Sequence, residues 1–260
     1  LEKQTSLTIA RQLFSVSPLK QRKLEMLRLM MDAPQERTSL DVGSDNGVIS
    51  LYLRDMGGDW YSADLIPETV EAIRDLVSIR VDVVSADKFP YQDKFFDQIL
   101  IVDFLEHIVN DSGCVQELAR LLKPGGTLVV NVPNPKEGLL RKMRFLLGQT
   151  DQAHGHVRPG YDLAALEVLL KPDFEIERSL SYGKLFSELI DTVIVAGLDL
   201  LKGGKKGLKG TVVSASDLQK KAKSFKIYRI ISPLLRLCML GDSLLPYCHG
   251  NMLIVRARRR

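Results

Sequence analysis

The sequence predicts an α/β fold: a mostly parallel seven-stranded sheet with helices on both faces and a helical insertion before the last strand. Three observations predict it. Short apolar runs alternate with stretches of helical period along most of the chain, as in parallel sheets wrapped by crossover helices. Each strand candidate ends near a polar residue, the place where such sheets bind ligands. The alternation breaks after Gly183 and returns only in the closing stretch NMLIVRARRR.

The elements follow in order. The stretch LKQRKLEMLRLMMD, residues 19–32, places Leu24, Leu27 and Met31 on one helical face with basic residues opposite. Strands are read at TSLDVG, DWYSADL, IRVDVVSAD, FFDQILIVD and GGTLVVNVP. Helical stretches fall at 46–56, 67–77, 111–122 and 136–147, followed by a helix at 162–170 and a strand at FEIERSL. Beyond Gly183, residues 185–201 read as an apolar helix, KGGKKGLKG as a flexible basic link and 216–232 as a Lys-rich helix. NMLIVRA supplies the seventh strand. The expected organisation is a core with N-terminal helices (1–183), a basic helical insertion or lid (184–250), and a last core strand with a basic tail (251–260).

Composition sets the frame. A chain of 260 residues, 45% hydrophobic and 26% charged, is an ordinary globular composition with room for one large core and an appendage. Cys114, Cys238 and Cys248 form no C-x-x-C pair, so they read as reduced thiols of a cytoplasmic protein with no zinc knuckle. No basic-then-apolar leader opens the sequence, although a start at Leu1 leaves room for trimming. No apolar run approaches the roughly 18 residues of a spanning helix. The net charge of +4 hides an asymmetry: residues 1–183 hold 21 Lys and Arg against 27 Asp and Glu, and residues 184–260 hold 15 against 5.

The candidate site is a row of strand ends. LDVGSDNG follows the first strand, Asp64 ends the second, Asp87 follows the third and Asp103 ends the fourth. A dinucleotide site would need G-x-G-x-x-G, whose helix-start amides hold a pyrophosphate. Here the glycines are spaced G-x-x-x-G and acids crowd the loop at Asp41 and Asp45, which disfavours phosphate and suits a cationic ligand. S-adenosylmethionine carries a sulfonium, an ammonium and one carboxylate. A carboxylate at the end of the second strand has two acceptor oxygens for two ribose hydroxyls.

In this order and spacing the residues resemble the class I S-adenosylmethionine-dependent methyltransferases, specifically the broad type 11-like group of small-molecule enzymes with L-D-x-G-x-G-x-G and a later L-x-P-G-G-x-L. The resemblance covers roughly residues 20–183 and returns at the final strand. It implies a Rossmann-like sheet, the cofactor S-adenosylmethionine and a methyltransferase activity. It assigns Asp41, Gly43, Ser44, Asp45 and Gly47 to the first cofactor turn, and Asp64 with Leu65 to the ribose. Ala86, Asp87 and Lys88 go to the adenine side and Asp103 to the end of the fourth strand. Phe96-Asp97 matches the opening of that strand, and Lys123-Pro124-Gly125-Gly126 the turn before the fifth. Asp45 departs from the usual glycine. The short spacing from Asp87 to Pro90 leaves Ser85 as an alternative at the adenine.

Candidate catalytic groups lie in DFLEH (103–107) and in DQAHGHVRPGY (151–161). The second is similar to the H-x-R segment before the sixth strand of many small-molecule methyltransferases, and implies His154 or His156 as general base, with His107 nearby. D-x-x-E-H followed by a later histidine is also similar to the E-x-x-E-H…H metal site of small-RNA 2′-O-methyltransferases and to related residues in ubiquinone-pathway O-methyltransferases. A divalent metal is the less favoured reading, because E-H at that place occurs in relatives that bind none. The expected reaction is methyl transfer to an oxygen, less readily a nitrogen, of a small or lipid-linked acceptor. The alternative is a non-catalytic scaffold that works through its basic C-terminal segment.

That segment mixes Leu185, Phe186, Leu189, Val193 and Ile194 with lysines, then Ile230, Ile231, Leu234, Leu235 and Leu237 with more. Apolar residues interleaved with Lys and Arg over less than a spanning length fit a lid, a homodimer surface or peripheral contact with a membrane. Nucleic acid fits poorly, since Phe225 and Tyr228 offer few rings for stacking bases.

Overall fold

The computed structural model describes residues 2–44, 46–135, 156–187, 189, 229, 232–233, 235–237, 239–244 and 249–260. Two helices open the chain, α1 (Glu2–Ser15) and α2 (Pro18–Met30). Then come β1 (Thr38–Val42), α3 (Val48–Arg54), β2 (Asp59–Asp64), α4 (Pro67–Val77) and β3 (Val81–Val83). These are followed by β4 (Phe96–Val102), α5 (Asp111–Leu121), β5 (Leu122–Pro133), α6 (Leu163–Leu170), β6 (Phe174–Tyr182) and β7 (Met252–Arg259).

The seven strands form one sheet in the order β3-β2-β1-β4-β5-β7-β6. β1 to β5 pair in parallel, and β7 runs antiparallel between β5 and β6. The last strand in sequence therefore lies inside the sheet. Its position explains the apolar NMLIVRA: Ile254, Val255 and Ala257 are fully buried.

Alternation along the strands divides the core into two layers. Ile99 and Ile101 of β4 join Leu40, Val42, Leu118, Leu128, Val130 and Leu166 on the α5–α6 face. Leu100 and Val102 turn to Leu24, Leu27, Met30, Ile49 and Leu53 beneath α2 and α3. On α2 the fully buried methionine is Met30, whereas the expected Met31 is the C-cap and only partly buried, because the helix ends one residue earlier. Beyond it, Asp32 accepts from Arg256 (2.7 Å) and Thr127 (2.7 Å), fastening the helix to β7 and β5.

Two expected boundaries shift. The helix after β1 begins at Val48, since Gly47 caps it at φ +76°. Lys123–Gly126 is not a turn preceding a strand but a bulge within β5: Phe96 pairs with Leu122, and the next pairing is Gln98 with Thr127. Gly125 at φ +71° lets the extra residues loop out. The expected helix at 136–147 and most of 184–250 lie outside the described residues.

The strand order reverses between β1 and β4, β1 leading outward to β2 and the chain then returning to the other side. In open α/β sheets the crevice at such a switch point is the ligand site.

Candidate active site

The first wall of the crevice is the turn after β1. Gly43 sits at φ +78°, and a Cβ there would lie 2.4 Å from the Val102 carbonyl oxygen on β4. Gly47 at φ +76° would place a Cβ 2.8 Å from Ile73 Cα. Both glycines thus permit close backbone approach as well as positive φ. The Gly43 amide donates to the Ala63 carbonyl of β2 (3.1 Å), which fixes the mouth of the turn.

Asp41 is fully buried. Its carboxylate accepts from the hydroxyls of Ser44 (2.7 Å), Ser50 (2.5 Å) and Ser62 (2.8 Å), with the Arg54 guanidinium 3.5 Å away. Burial pulls the Arg54 pKa below its usual value, and Asp41 opposes that shift. The acid therefore holds β1, β2 and α3 in one polar knot under the turn, and Ser44 points down into this knot. Asp45 lies outside the described residues.

Asp64 ends β2, 8% exposed, and Oδ1 accepts from the Ile66 amide (3.0 Å), an Asx-type turn that shapes the strand exit. Leu65 and Ala86 are partly buried beside the core. Ser85 and Lys88 exchange backbone hydrogen bonds (3.3 and 3.2 Å), so Ala86 and Asp87 form the tip of a tight turn, with Asp87 and Lys88 exposed.

The opposite wall is the end of β4. Asp103 adopts φ +48°, a region sparsely populated by residues with a side chain. It is held there by its amide donating to the Asn131 carbonyl (2.9 Å) and by Asn131 Nδ2 donating to its carboxylate (3.0 Å). Asn131 Oδ1 accepts from the Tyr182 hydroxyl (2.6 Å). Lys23 of α2 completes the chain by donating to Asp103, while Lys20 Nζ reaches Asn46 in the turn after β1 (3.2 Å). Two lysines of one helix therefore touch both walls.

Below Asp103 a short 3-10 helix, Leu105–His107, carries Glu106. Glu106 is 1% exposed, and among the described residues neither carboxylate oxygen has a hydrogen-bond partner. Burial first, then the neighbouring Asp103, pushes its pKa up to about 8. His156 is brought beside it by the loop that follows. The Val157 amide donates to the Glu106 carbonyl (2.9 Å). Arg158 donates to the carbonyls of Ile108 (2.7 Å) and Val109 (3.0 Å), to Tyr161 Oη (2.9 Å) and to Asp111. The His107 and His156 rings meet edge to face with centroids 4.9 Å apart. Glu106, His107 and His156 each bring a ligand atom within 4.8 Å of the others. Asp103, the fourth member of the expected D-x-x-E-H…H set, is committed to Lys23 and Asn131 instead, and His154 lies outside the described residues. Cys114 is buried and its thiol is pushed up to about 12 by that burial, so it is no nucleophile here.

Sequence reading missed Lys20, Lys23, Asn131 and Tyr182. A signal for the lysines was present: Lys20 is in register with Leu24 and Leu27, and Lys23 with Leu27 and Met30, so both extend the buried stripe of α2. Asn131 had none, since one polar residue within an apolar strand does not say what it faces, and Tyr182 had none, since it ends a strand of mixed residues.

Comparison with known proteins agrees with this architecture. A family model for a methyltransferase domain matches residues 40–130. An uncharacterized methyltransferase of Mycobacterium tuberculosis strain H37Rv is 29% identical over 116 residues, 44% of this chain and 47% of its own length. A ubiquinone biosynthesis O-methyltransferase of Xylella fastidiosa strain M23 is 33% identical over 102 residues, 36% of this chain and 41% of its own. The chain thus spans less than half the length of these curated relatives. The crystal structure of the BH2331 protein of Bacillus halodurans C-125 shares the fold with a TM-score of 0.58 at 15% identity, covering 90% of this chain and 97% of that one. Family match, strand order and the crevice at β1 and β4 agree: residues 40–130 are similar to the methyltransferase-domain family and lie in a sheet of the fold seen in the matched structures.

Proposed function

We propose that the chain transfers the methyl group of S-adenosylmethionine to an oxygen of a small or lipid-linked acceptor. The observation that carries this reading is the cluster of Glu106, His107 and His156 beneath the end of β4. A hydroxyl must lose its proton to attack a sulfonium, whereas a neutral amine already presents a lone pair. Imidazoles beside the strand end serve an oxygen acceptor best, and His156 is the base in this reading. The similarity to an O-methyltransferase of Xylella fastidiosa supports the same choice.

The walls suit the cofactor's chemistry. The turn Gly43–Gly47 would take the methionine end, Asp64 the ribose hydroxyls, and Leu65 and Ala86 the faces of the adenine, with Asp87, Lys88 or Ser85 at its edge. Asp103 favours the cationic end of the cofactor, and Lys23 offers its carboxylate a partner. The sulfonium supplies the methyl group; the chain orients the attack and accepts the proton.

The test is release of S-adenosylhomocysteine across a panel of phenolic, aliphatic hydroxyl and amine acceptors. Turnover with hydroxyl acceptors alone is expected, and turnover confined to amines would overturn oxygen transfer. The scaffold alternative is separated by calorimetry: absence of binding at millimolar S-adenosylmethionine would favour it.

A second reading is favoured by one observation, the buried and unpartnered Glu106 carboxylate. Glu106, His107 and His156 form a donor set that a divalent cation would satisfy, and such an ion would lower the pKa of an acceptor hydroxyl. Loss of turnover in chelator, restored by a divalent metal, would support it, and full turnover in chelator would exclude it.

A further inference from the structure

Two described pieces of the segment 184–250 are joined at Asp242. Its carboxylate accepts from the amides of Lys184 (2.9 Å), Phe186 (2.9 Å) and Ser187 (3.4 Å) and from the Ser187 hydroxyl (2.5 Å). It thereby caps the helical residues 185–187 from a distance. A Cβ at Gly241 would meet the Phe186 ring at 2.9 Å, so the absence of a side chain there lets the pieces close.

The described residues between 229 and 240 are helical. One face is held by the rest of the chain: Ser232 and Leu235 are buried, and Arg236 donates to the Ser15 carbonyl (2.9 Å) and to Gln21 Oε1 (3.0 Å) at the junction of α1 and α2. The other face is apolar and open. Leu237, Leu240 and Leu244 are 65%, 66% and 80% exposed; Leu237 and Leu240 are neighbours at helical spacing, and Leu244 closes the short 3-10 helix that follows, Gly241–Leu244. Leu185 and Leu189, also exposed, repeat the pattern on the capped helix.

We infer that this face docks on the surface of an anionic membrane. Single exposed leucines are ordinary, but three within the eight residues 237–244, joined by two more on the capped helix, are not. They lie in a segment with eleven Lys and Arg against five Asp and Glu, while residues 1–183 carry an acidic excess. Apolar residues within a segment of net positive charge match acyl chains beneath anionic headgroups. A second copy of the chain is a poor occupant, because a two-fold contact would set this basic segment against itself. No helix among the described residues is long and apolar enough to cross a membrane. Combined with the proposed methyl transfer, on which this last step rests, docking selects an amphiphile held in the bilayer as the acceptor.

The test is flotation of the full chain with vesicles of phosphatidylcholine alone or mixed with phosphatidylglycerol. Co-flotation with the mixed vesicles at low salt is expected, falling at least about tenfold with phosphatidylcholine alone or in high salt. The triple variant Leu237→Asp, Leu240→Asp, Leu244→Asp should lose flotation to the same extent, with Tm and S-adenosylmethionine binding unchanged. The inference is overturned by absence of flotation at low salt, or by a triple variant that floats like the parent. It is equally overturned by a chain that never floats and is a dimer split by those substitutions. Docking without methyl transfer would leave the inference standing and refute the proposed function.

Discussion

Lys23 on α2 and Asp103 at the end of β4, 80 residues apart in sequence, form an ion pair across the crevice. The pair places a cation at a strand end crowded with acids. We expect Lys23→Ala to weaken S-adenosylmethionine binding about tenfold, the scale of a hydrogen bond to a charged group. Calorimetry with the decarboxylated cofactor is the control. The parent should discriminate against it and the variant should not. Unchanged discrimination would reduce Lys23 to a fastening for α2.

Glu106 gives a pH prediction with a definite sign. Its folded-state pKa of about 8 lies above the ordinary carboxyl value. From about pH 4.5 to about pH 8 the folded chain keeps a proton that the unfolded chain loses, so this group makes stability fall as pH rises through that window. Above it the contribution is level. Glu106→Gln should flatten the decline in a series of thermal melts. A bound divalent cation should do likewise in the parent but not in the variant.

His156→Ala should reduce turnover by about 10²–10⁴-fold, the range for loss of a general base, with little change in cofactor affinity. The log kcat profile of the parent should rise with pH and lose that limb in the variant. Near-normal turnover with the true acceptor would remove His156 from the role.

Arg158 touches neither the turn after β1 nor the cluster, yet it ties the loop that carries His156 to Ile108, Val109, Asp111 and Tyr161. Arg158→Ala should cost about 1–3 kcal/mol of stability, since two carbonyls and a carboxylate lose a donor. It should also lower kcat more than it raises KM. Arg158→Lys should not rescue, because a single ammonium cannot span those acceptors. A loss of stability with kcat intact would show that the loop needs no such anchor.

Gly43→Ala should abolish cofactor binding and lower Tm. The new methyl would meet the Val102 carbonyl oxygen at 2.4 Å on a backbone at φ +78°, a strain of about 1–3 kcal/mol before any repacking. Retained binding would mean that β1 and β4 can part at that point.

Much of the sheet was legible because it is local. Short apolar or aromatic runs between helical stretches specify β1, β2, β4 and β5, and their polar ends point to the crevice. The reach of β5 was less legible: Leu122 already pairs with Phe96, but KPGG reads as a turn because a bulge and a turn use the same residues. The roles at the site were legible only in part. Asp41 reads as a ligand-facing acid, yet three serines and Arg54 enclose it; nothing in LDVG reveals that Ser50 and Ser62 converge on its carboxylate. His156 could be named but not aimed, since its place depends on Arg158 finding carbonyls nearly fifty residues earlier.

The sequence by itself determined the strand-and-helix alternation, the glycines of the first turn, the acids at the strand ends and the basic character of the closing segment. These follow from periodicity, backbone freedom and charge, which act over a few residues. It took the packed chain to place β7 between β5 and β6, to bring Lys23 to Asp103, and to bury Glu106 beside two histidines with no hydrogen-bond partner among the described residues. The reason is burial. Whether a carboxylate stays a solvated charge or becomes a protonated group with an elevated pKa depends on which distant segments cover it.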